Sequence, residues 1–259
     1  VTFSANLGFL YTDLNLVDRI LAAKRDGFDA VECHFPYDTP ASQVKCALKE
    51  TGLTMLGLNT VPGDATAGEF GLCALPDRVL QARAAIDQAI AYGAEIGALN
   101  VHVMAGRSDS IDGAEATFRA NLTYACNAAA KHGMSILIEP INQRDVAGYH
   151  LSTVEHARMI IDELRHPNLR MMFDCYHTQI TQGDLTTWLL THLPVIGHIQ
   201  IAAVPDRGEP DQGEVHYLNL IRAVRKMGYT APIGAEYKPR NGSTVDGLGW
   251  LAAFKKELT

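Results

Sequence analysis

Residues 135–177 read SILIEPINQRDVAGYHLSTVEHARMIIDELRHPNLRMMFDCYH. A short apolar, β-branched run (Ser135–Ile141) is followed by a longer amphipathic one (Thr153–Leu164). A second apolar run (Leu169–Tyr176) then completes the unit. Strand, helix and strand in that order are the mark of a parallel βαβ crossover. Each apolar run also breaks on a carboxylate, Glu139 in the first and Asp174 in the second.

The same alternation extends in both directions. Strands are expected at Thr2–Leu7, Ala30–His34, Met55–Thr60 and Ala98–Met104 before this unit, and at Val195–Val204 and Pro232–Tyr237 after it. Helical runs are expected at Leu14–Asp26, Pro40–Thr51, Pro76–Ile96, Ile111–His132, Leu185–Leu193, Val215–Met227 and Thr244–Lys256. Glycines stand where helices should stop, at Gly27, Gly52, Gly133 and Gly228. Eight βα units can be counted with no linker or low-complexity break. An open doubly wound sheet would want a Gly-rich phosphate turn after its first strand, and Ala5-Asn6-Leu7-Gly8-Phe9-Leu10 does not supply one. A length of 259 residues suits one (β/α)8 barrel, so residues 1–259 are expected to form a single such domain of the α/β class.

Composition narrows the function classes. Hydrophobic residues at 47% and charged residues at 20% describe a globular chain with a large core. A formal net charge of −7 disfavours nucleic acid and anionic membrane as partners, because phosphate binding needs a basic surface. No segment resembles a transmembrane helix or a signal peptide. Cys33, Cys46, Cys73, Cys126 and Cys175 are scattered and odd in number, as expected of reduced thiols in a cytoplasmic protein rather than a disulfide framework.

In a (β/α)8 barrel the chemistry lies where strands end and βα loops begin. Four successive late strands end on polar residues: Glu139, Asp174, Gln200 and Glu236, spaced 35, 26 and 36 residues apart. Such spacing, about one βα unit each, points all four into one mouth. A carboxylate at a buried strand end costs several kcal/mol unless paired, protonated or metal-bound. An all-oxygen set suits Mg2+ or Mn2+ better than zinc. A protonated, hydrogen-bonded carboxylate cluster is the alternative. His102, Asn142, His177, Arg207 and Lys238 surround this ring as candidate substrate-binding residues, Arg207 or Lys238 for a substrate carboxylate. His34 and His150 border strand ends and read as surface residues. Glu32, inside the second strand, reads equally as a residue reaching the barrel interior or as a buried partner for a neighbouring basic group.

The chain resembles the hydroxypyruvate isomerase family of xylose-isomerase-like barrels nearly end to end. The resemblance rests on Phe3-Ser4-Ala5-Asn6-Leu7, Gly27-Phe28-Asp29-Ala30-Val31-Glu32 and Phe35-Pro36-Tyr37. It is strongest in Ile138-Glu139-Pro140-Ile141-Asn142, Gly197-His198-Ile199-Gln200-Ile201-Ala202, Arg207-Gly208-Glu209-Pro210 and Glu236-Tyr237-Lys238-Pro239-Arg240. It implies an isomerase of a short oxo or hydroxy acid, such as hydroxypyruvate to tartronate semialdehyde. In that reading Glu139 and Glu236 move the proton through an enediolate, and Glu139, Asp174, Gln200 and Glu236 surround a divalent ion. His177 and Arg207 match substrate-contacting positions. Ketose-epimerising relatives carry His where this chain has Gln200, so a weakly held or dispensable metal is implied. His102-Val103-Met104-Ala105-Gly106 and Pro205-Asp206-Arg207 resemble the cousin 2-oxo-tetronate isomerases. A metal-dependent ketose 3-epimerase is the further alternative. An apurinic-site endonuclease would want a basic groove and zinc-binding histidines. A homodimer or higher homo-oligomer is implied by the resemblance alone.

Overall fold

The computed structural model describes residues 1–108 and 111–258. Its strands are β1 (Phe3–Asn6), β2 (Ala30–Glu32), β3 (Thr54–Met55), β4 (Gly57–Asn59), β5 (Asn100–His102), β6 (Ser135–Ile138), β7 (Leu169–Asp174), β8 (Ile196–Ile201) and β9 (Ile233–Ala235). Its helices are α1 (Leu16–Arg25), α2 (Ala41–Thr51), α3 (Val79–Ile96), α4 (Ala114–Ala130), α5 (Val154–Leu164), α6 (Cys175–Thr181), α7 (Leu185–His192), α8 (Tyr217–Lys226), α9 (Thr244–Gly247) and α10 (Gly249–Glu257). The strand order is β3-β2-β1-β9-β8-β7-β6-β5-β4, with parallel pairing throughout.

β3 and β4 are the two halves of one stave, separated only by Leu56. The Leu56 N–H donates to the Val31 carbonyl on one side, and the Leu99 N–H donates to the Met55 carbonyl on the other. The two ends of the sheet are therefore the same strand, and the nine segments close into an eight-stave α/β barrel.

Local chemistry sets the helix ends. Asn15 accepts from the Asp18 N–H to cap α1, and Thr153 accepts from the His156 N–H to cap α5. The glycines read as helix stops all adopt positive φ: Gly27 (95°), Gly52 (67°), Gly133 (68°) and Gly228 (94°). The expected helix Thr244–Lys256 is split into α9 and α10 at Leu248, and one further boundary difference bears on the site. The sixth stave stops at Asp174 and α6 begins at the next residue, because the Asp174 Oδ1 accepts the Tyr176 N–H at 2.8 Å and caps a helix there. The continuous apolar run to Tyr176 hides this switch. Buried apolar side chains of the staves and the inner helix faces form one core. Among the described residues, no helix is long and apolar enough to cross a membrane.

Candidate active site

The polar residues expected at strand ends meet at the C-terminal mouth. Glu139 follows β6, Asp174 closes β7, Gln200 lies in β8 in register with Asp174, and Glu236 follows β9. A cavity of about 180 Å³ opens there. Its polar wall includes His34, His102, Glu139, His177, Arg207 and Glu236, and its apolar wall includes Phe9, Phe35, Phe70, Met104, Ile141 and Val146. That volume suits a compound of a few carbons, below the roughly 300–1,000 Å³ typical of larger ligands.

Among the mouth carboxylates, Glu236 makes the most hydrogen bonds. Its Oε1 accepts from the Asn6 Nδ2 at 2.9 Å and lies 3.0 Å from the His34 Nε2; its Oε2 accepts from Arg207 at 2.7 Å. Burial opposes its charge, but Arg207 and His34 outweigh burial and hold the carboxyl well below the usual range. Arg207 also donates to the Asp174 Oδ2 at 3.3 Å, and its guanidinium stacks over Phe9 and Tyr176 at 5.0 and 4.9 Å. Burial nonetheless pushes Asp174 up to about 7, against the pull of Arg207. Glu139 is pushed well above the ordinary carboxylate range by burial first, then by the charges of Glu236 and Asp174.

Burial favours the neutral form of two of the wall histidines. Burial lowers His102 to about 4 and takes His177 well below its ordinary value. The Asp145 N–H donates to Asn142 Oδ1 at 2.8 Å, which turns the Asn142 amide nitrogen toward His177 Nδ1 at 2.7 Å. With Nδ1 accepting, the proton of a neutral His177 sits on Nε2. That nitrogen faces Asp174 Oδ2 at 3.6 Å and Glu139 Oε1 at 3.8 Å.

Beneath the cavity, Gln200 donates its Nε2 to Glu32 Oε2 at 3.3 Å, and the His198 Nε2 lies 2.8 Å from the same oxygen. Burial works against a charged His198, but Glu32 raises it above its ordinary value. Glu32 thus fits both of its readings, since it is buried inside the barrel and pairs with the basic His198. With its nitrogen committed to Glu32, Gln200 leaves Oε1 buried and without a hydrogen-bond partner, as is Glu139 Oε1. Orphaned, electron-rich oxygens at the end of a barrel fit a hard divalent cation. Glu139, Asp174 and His177 also bring one ligating atom each to within 4.8 Å of one another, a buried group able to hold a metal ion.

Not every expected residue reaches the cavity. Lys238 is exposed at the rim, its Nζ 5.6 Å over the Phe9 ring, and its backbone N–H serves the Arg207 carbonyl. Asn142 is buried behind the wall and orients His177. Conversely, His34 is a wall residue bonded to Glu236, and His150 is largely buried against Glu115 and Ser108, so neither is the surface residue expected. Asn6 ends its short strand on a polar side chain as the late strands do, a signal that was present but carried little apolar contrast.

Comparison with known proteins agrees with this geometry. The family described as xylose isomerase-like TIM barrel matches residues 20–254. A 2-oxo-tetronate isomerase of Cupriavidus necator is 45% identical over 97% of this chain and 98% of its own. The hydroxypyruvate isomerase of Escherichia coli is 35% identical over 98% of this chain and 99% of its own. A solved structure named as an AP endonuclease, family 2, from Brucella melitensis superposes with a TM-score of 0.94 at 37% identity, covering 97% of this chain and 98% of that one. A small cavity walled by carboxylates, and relatives that are isomerases over their whole length, lead to one conclusion. The chain belongs to the hydroxypyruvate isomerase and 2-oxo-tetronate isomerase family of xylose isomerase-like TIM barrels, and it is an isomerase of that class.

Proposed function

We propose that the chain exchanges the carbonyl on carbon 2 and the hydroxyl on carbon 3 of a short 2-oxo acid, with 2-oxo-tetronate the first substrate to test and hydroxypyruvate the second. The two compounds share a carboxylate, a carbonyl at carbon 2 and a hydroxyl at carbon 3. The order follows the 45% end-to-end identity to a relative named for the four-carbon acid, against 35% for the E. coli hydroxypyruvate isomerase. The observation that carries the reaction class is a pair of buried glutamates, Glu139 and Glu236, three staves apart on one small cavity.

Arg207 couples binding to basicity. Without substrate it is bonded to Glu236 and Asp174, which keeps Glu236 charged but weakly basic. A substrate carboxylate is the natural competitor for that guanidinium. Drawn toward it, Arg207 leaves Glu236 a freer and stronger base for the proton on carbon 3. Glu139 then serves carbon 2, and the two exchange roles in the reverse direction. The His177 Nε2–H and His102 lie where they can donate to the substrate oxygens as the enediolate forms. A divalent cation, with Glu139, Asp174, Gln200 and Glu236 as its candidate ligands, would supply positive charge to those oxygens. The apolar wall excludes water. The AP endonuclease name belongs to the Brucella protein, and the net charge of −7 speaks against a nucleic-acid partner here.

Proton NMR in D2O of chelator-treated protein, with 2-oxo-tetronate or hydroxypyruvate and with Mg2+ or Mn2+ returned, tests the reading. Interconversion with deuterium entering the exchanging carbon is expected, stimulated by the cation. Glu139→Gln and Glu236→Gln should each lower kcat by about 10²–10⁴-fold with the fold intact. Near-normal turnover in either variant removes the two-glutamate mechanism. Efficient conversion of D-fructose or D-tagatose to a C3 epimer would make the chain a ketose 3-epimerase instead.

A further inference from the structure

Outside the mouth, side chains from three parts of the chain converge on one point. Glu115 stands in the first turn of α4, His150 in the segment between β6 and α5, and His156 in the first turn of α5. The His150 Nε2 lies 2.8 Å and the His156 Nε2 2.9 Å from the same oxygen, Glu115 Oε2. Their ligating atoms fall within 4.8 Å of one another. The mouth site does not use any of the three.

We propose that Glu115, His150 and His156 form a second metal site, selective for a zinc-class ion. Two imidazole nitrogens and one carboxylate oxygen are the donor set that zinc prefers, and three protein ligands leave a fourth position for water. The mouth is built mainly of oxygen donors, so the two sites differ in the ions they favour. The groups behind the ligands are also in place. His150 Nδ1 lies 2.9 Å from the Ser108 Oγ, and the Glu115 Oε1 accepts from the Arg119 Nε at 2.7 Å. Arg119 is shared with Glu163, so its charge is balanced on two sides.

Metal-free, both imidazoles donate Nε2–H to Glu115. To ligate through Nε2 they must carry the ring proton on Nδ1 instead, and for His150 the Ser108 hydroxyl can accept it by rotating. Side-chain exposures of 37% for Glu115, 10% for His150 and 24% for His156 leave the point open to an incoming ion while fixing the rings. Phe118 packs edge-on against His150, with centroids 5.5 Å apart. An ion here would tie α4 and α5 to the segment that runs from Glu139 through Asn142 to His150. That segment orients His177, so occupancy at the rim would steady the mouth.

Titration calorimetry with ZnCl2, on protein whose mouth is saturated with Mg2+, is the direct test. A parallel series uses the Glu139→Gln/Asp174→Asn protein, where the mouth carboxylates are gone. One zinc per chain is expected in both. His150→Gln and His156→Gln, which retain a hydrogen-bonding side chain beside Glu115, should each abolish it. Ser108→Ala should weaken it by about 10–100-fold, the usual effect of losing an outer-shell partner. CoCl2 in place of zinc should give the visible absorption of a tetrahedral site with nitrogen and oxygen donors, lost in the same variants. Absence of zinc binding in folded protein, or binding unchanged by both histidine variants, overturns the proposal and leaves a purely hydrogen-bonded cluster.

Discussion

Gln200 shows how one side chain's chemistry is set by what lies behind it. An amide can turn either its oxygen or its nitrogen toward Glu32, and Glu32 fixes the choice by accepting from Nε2 at 3.3 Å, which leaves the buried Oε1 without a partner. His198 holds Glu32 for that task, and Gly234 makes room: a Cβ there would stand 2.4 Å from Glu32 Oε1 and 2.7 Å from His198 Nε2. In Glu32→Gln the new amide can donate to Gln200 Oε1 and let it turn. Mn2+ affinity, read by calorimetry, should then fall about 10–100-fold, with turnover recovered at saturating Mn2+. Unchanged affinity would show that Gln200 orientation does not matter to the ion. Gly234→Ala should produce the same weakening and destabilise the fold by about 1–3 kcal/mol. At this scale the sequence exposes Glu139, Asp174, Gln200 and Glu236 plainly, because a polar residue ending an apolar run is costly to bury. It does not expose His34, which lies beyond its strand, or the Arg207 contacts. Those depend on partners such as Glu236, 202 residues away from His34 in sequence.

The loop between β8 and α8 is the element on which substrate binding turns. It carries Arg207 at φ 57°, an unfavourable backbone for a side-chain-bearing residue, so something must hold it. Arg240 does so from the segment after β9. Its Nε and Nη2 donate to Asp206 at 2.7 and 3.2 Å, and its Nη1 donates to Glu209 at 2.8 Å. Gly208 fits beneath the guanidinium, where a Cβ would come within 2.5 Å of Arg240 Cζ. Arg240→Ala should loosen the loop and raise KM by about 10-fold, roughly 1.4 kcal/mol of lost substrate binding, with a smaller effect on kcat. Arg240→Lys should rescue little, since an ammonium cannot make the forked contact. Equal loss in KM and kcat would place Arg240 in the chemistry instead. The strands and long helices are legible in sequence from alternation and glycine stops. The short helix α6 is not, because its cap, Asp174, is also the end of an apolar strand.

Barrel closure belongs to the whole molecule. Alternation of strands and helices makes the sheet parallel, but only the pairing of residues 54–59 with β2 on one side and β5 on the other makes it a barrel. No local pattern encodes that double pairing. The other closing contact is the C-terminal helix α10, whose Trp250 seats against β1 and its surroundings. Its ring meets Phe3 edge-on at 5.3 Å, Phe254 at 5.4 Å and Tyr237 at 6.0 Å, and its Nε1 donates to the Tyr237 hydroxyl at 3.2 Å. A ring with so many partners leaves a cavity when removed, so Trp250→Ala should cost about 3–5 kcal/mol in denaturant unfolding. Leu80, 83% exposed on α3, supplies the contrast: Leu80→Ala should stay within about 0.5 kcal/mol. Trp250→Phe separates packing from hydrogen bonding, because it keeps an aromatic ring but removes the donor to Tyr237. A loss of about 1–2 kcal/mol is expected there. If Phe cost as much as Ala, the hydrogen bond rather than the packed ring would be what holds α10 against the barrel.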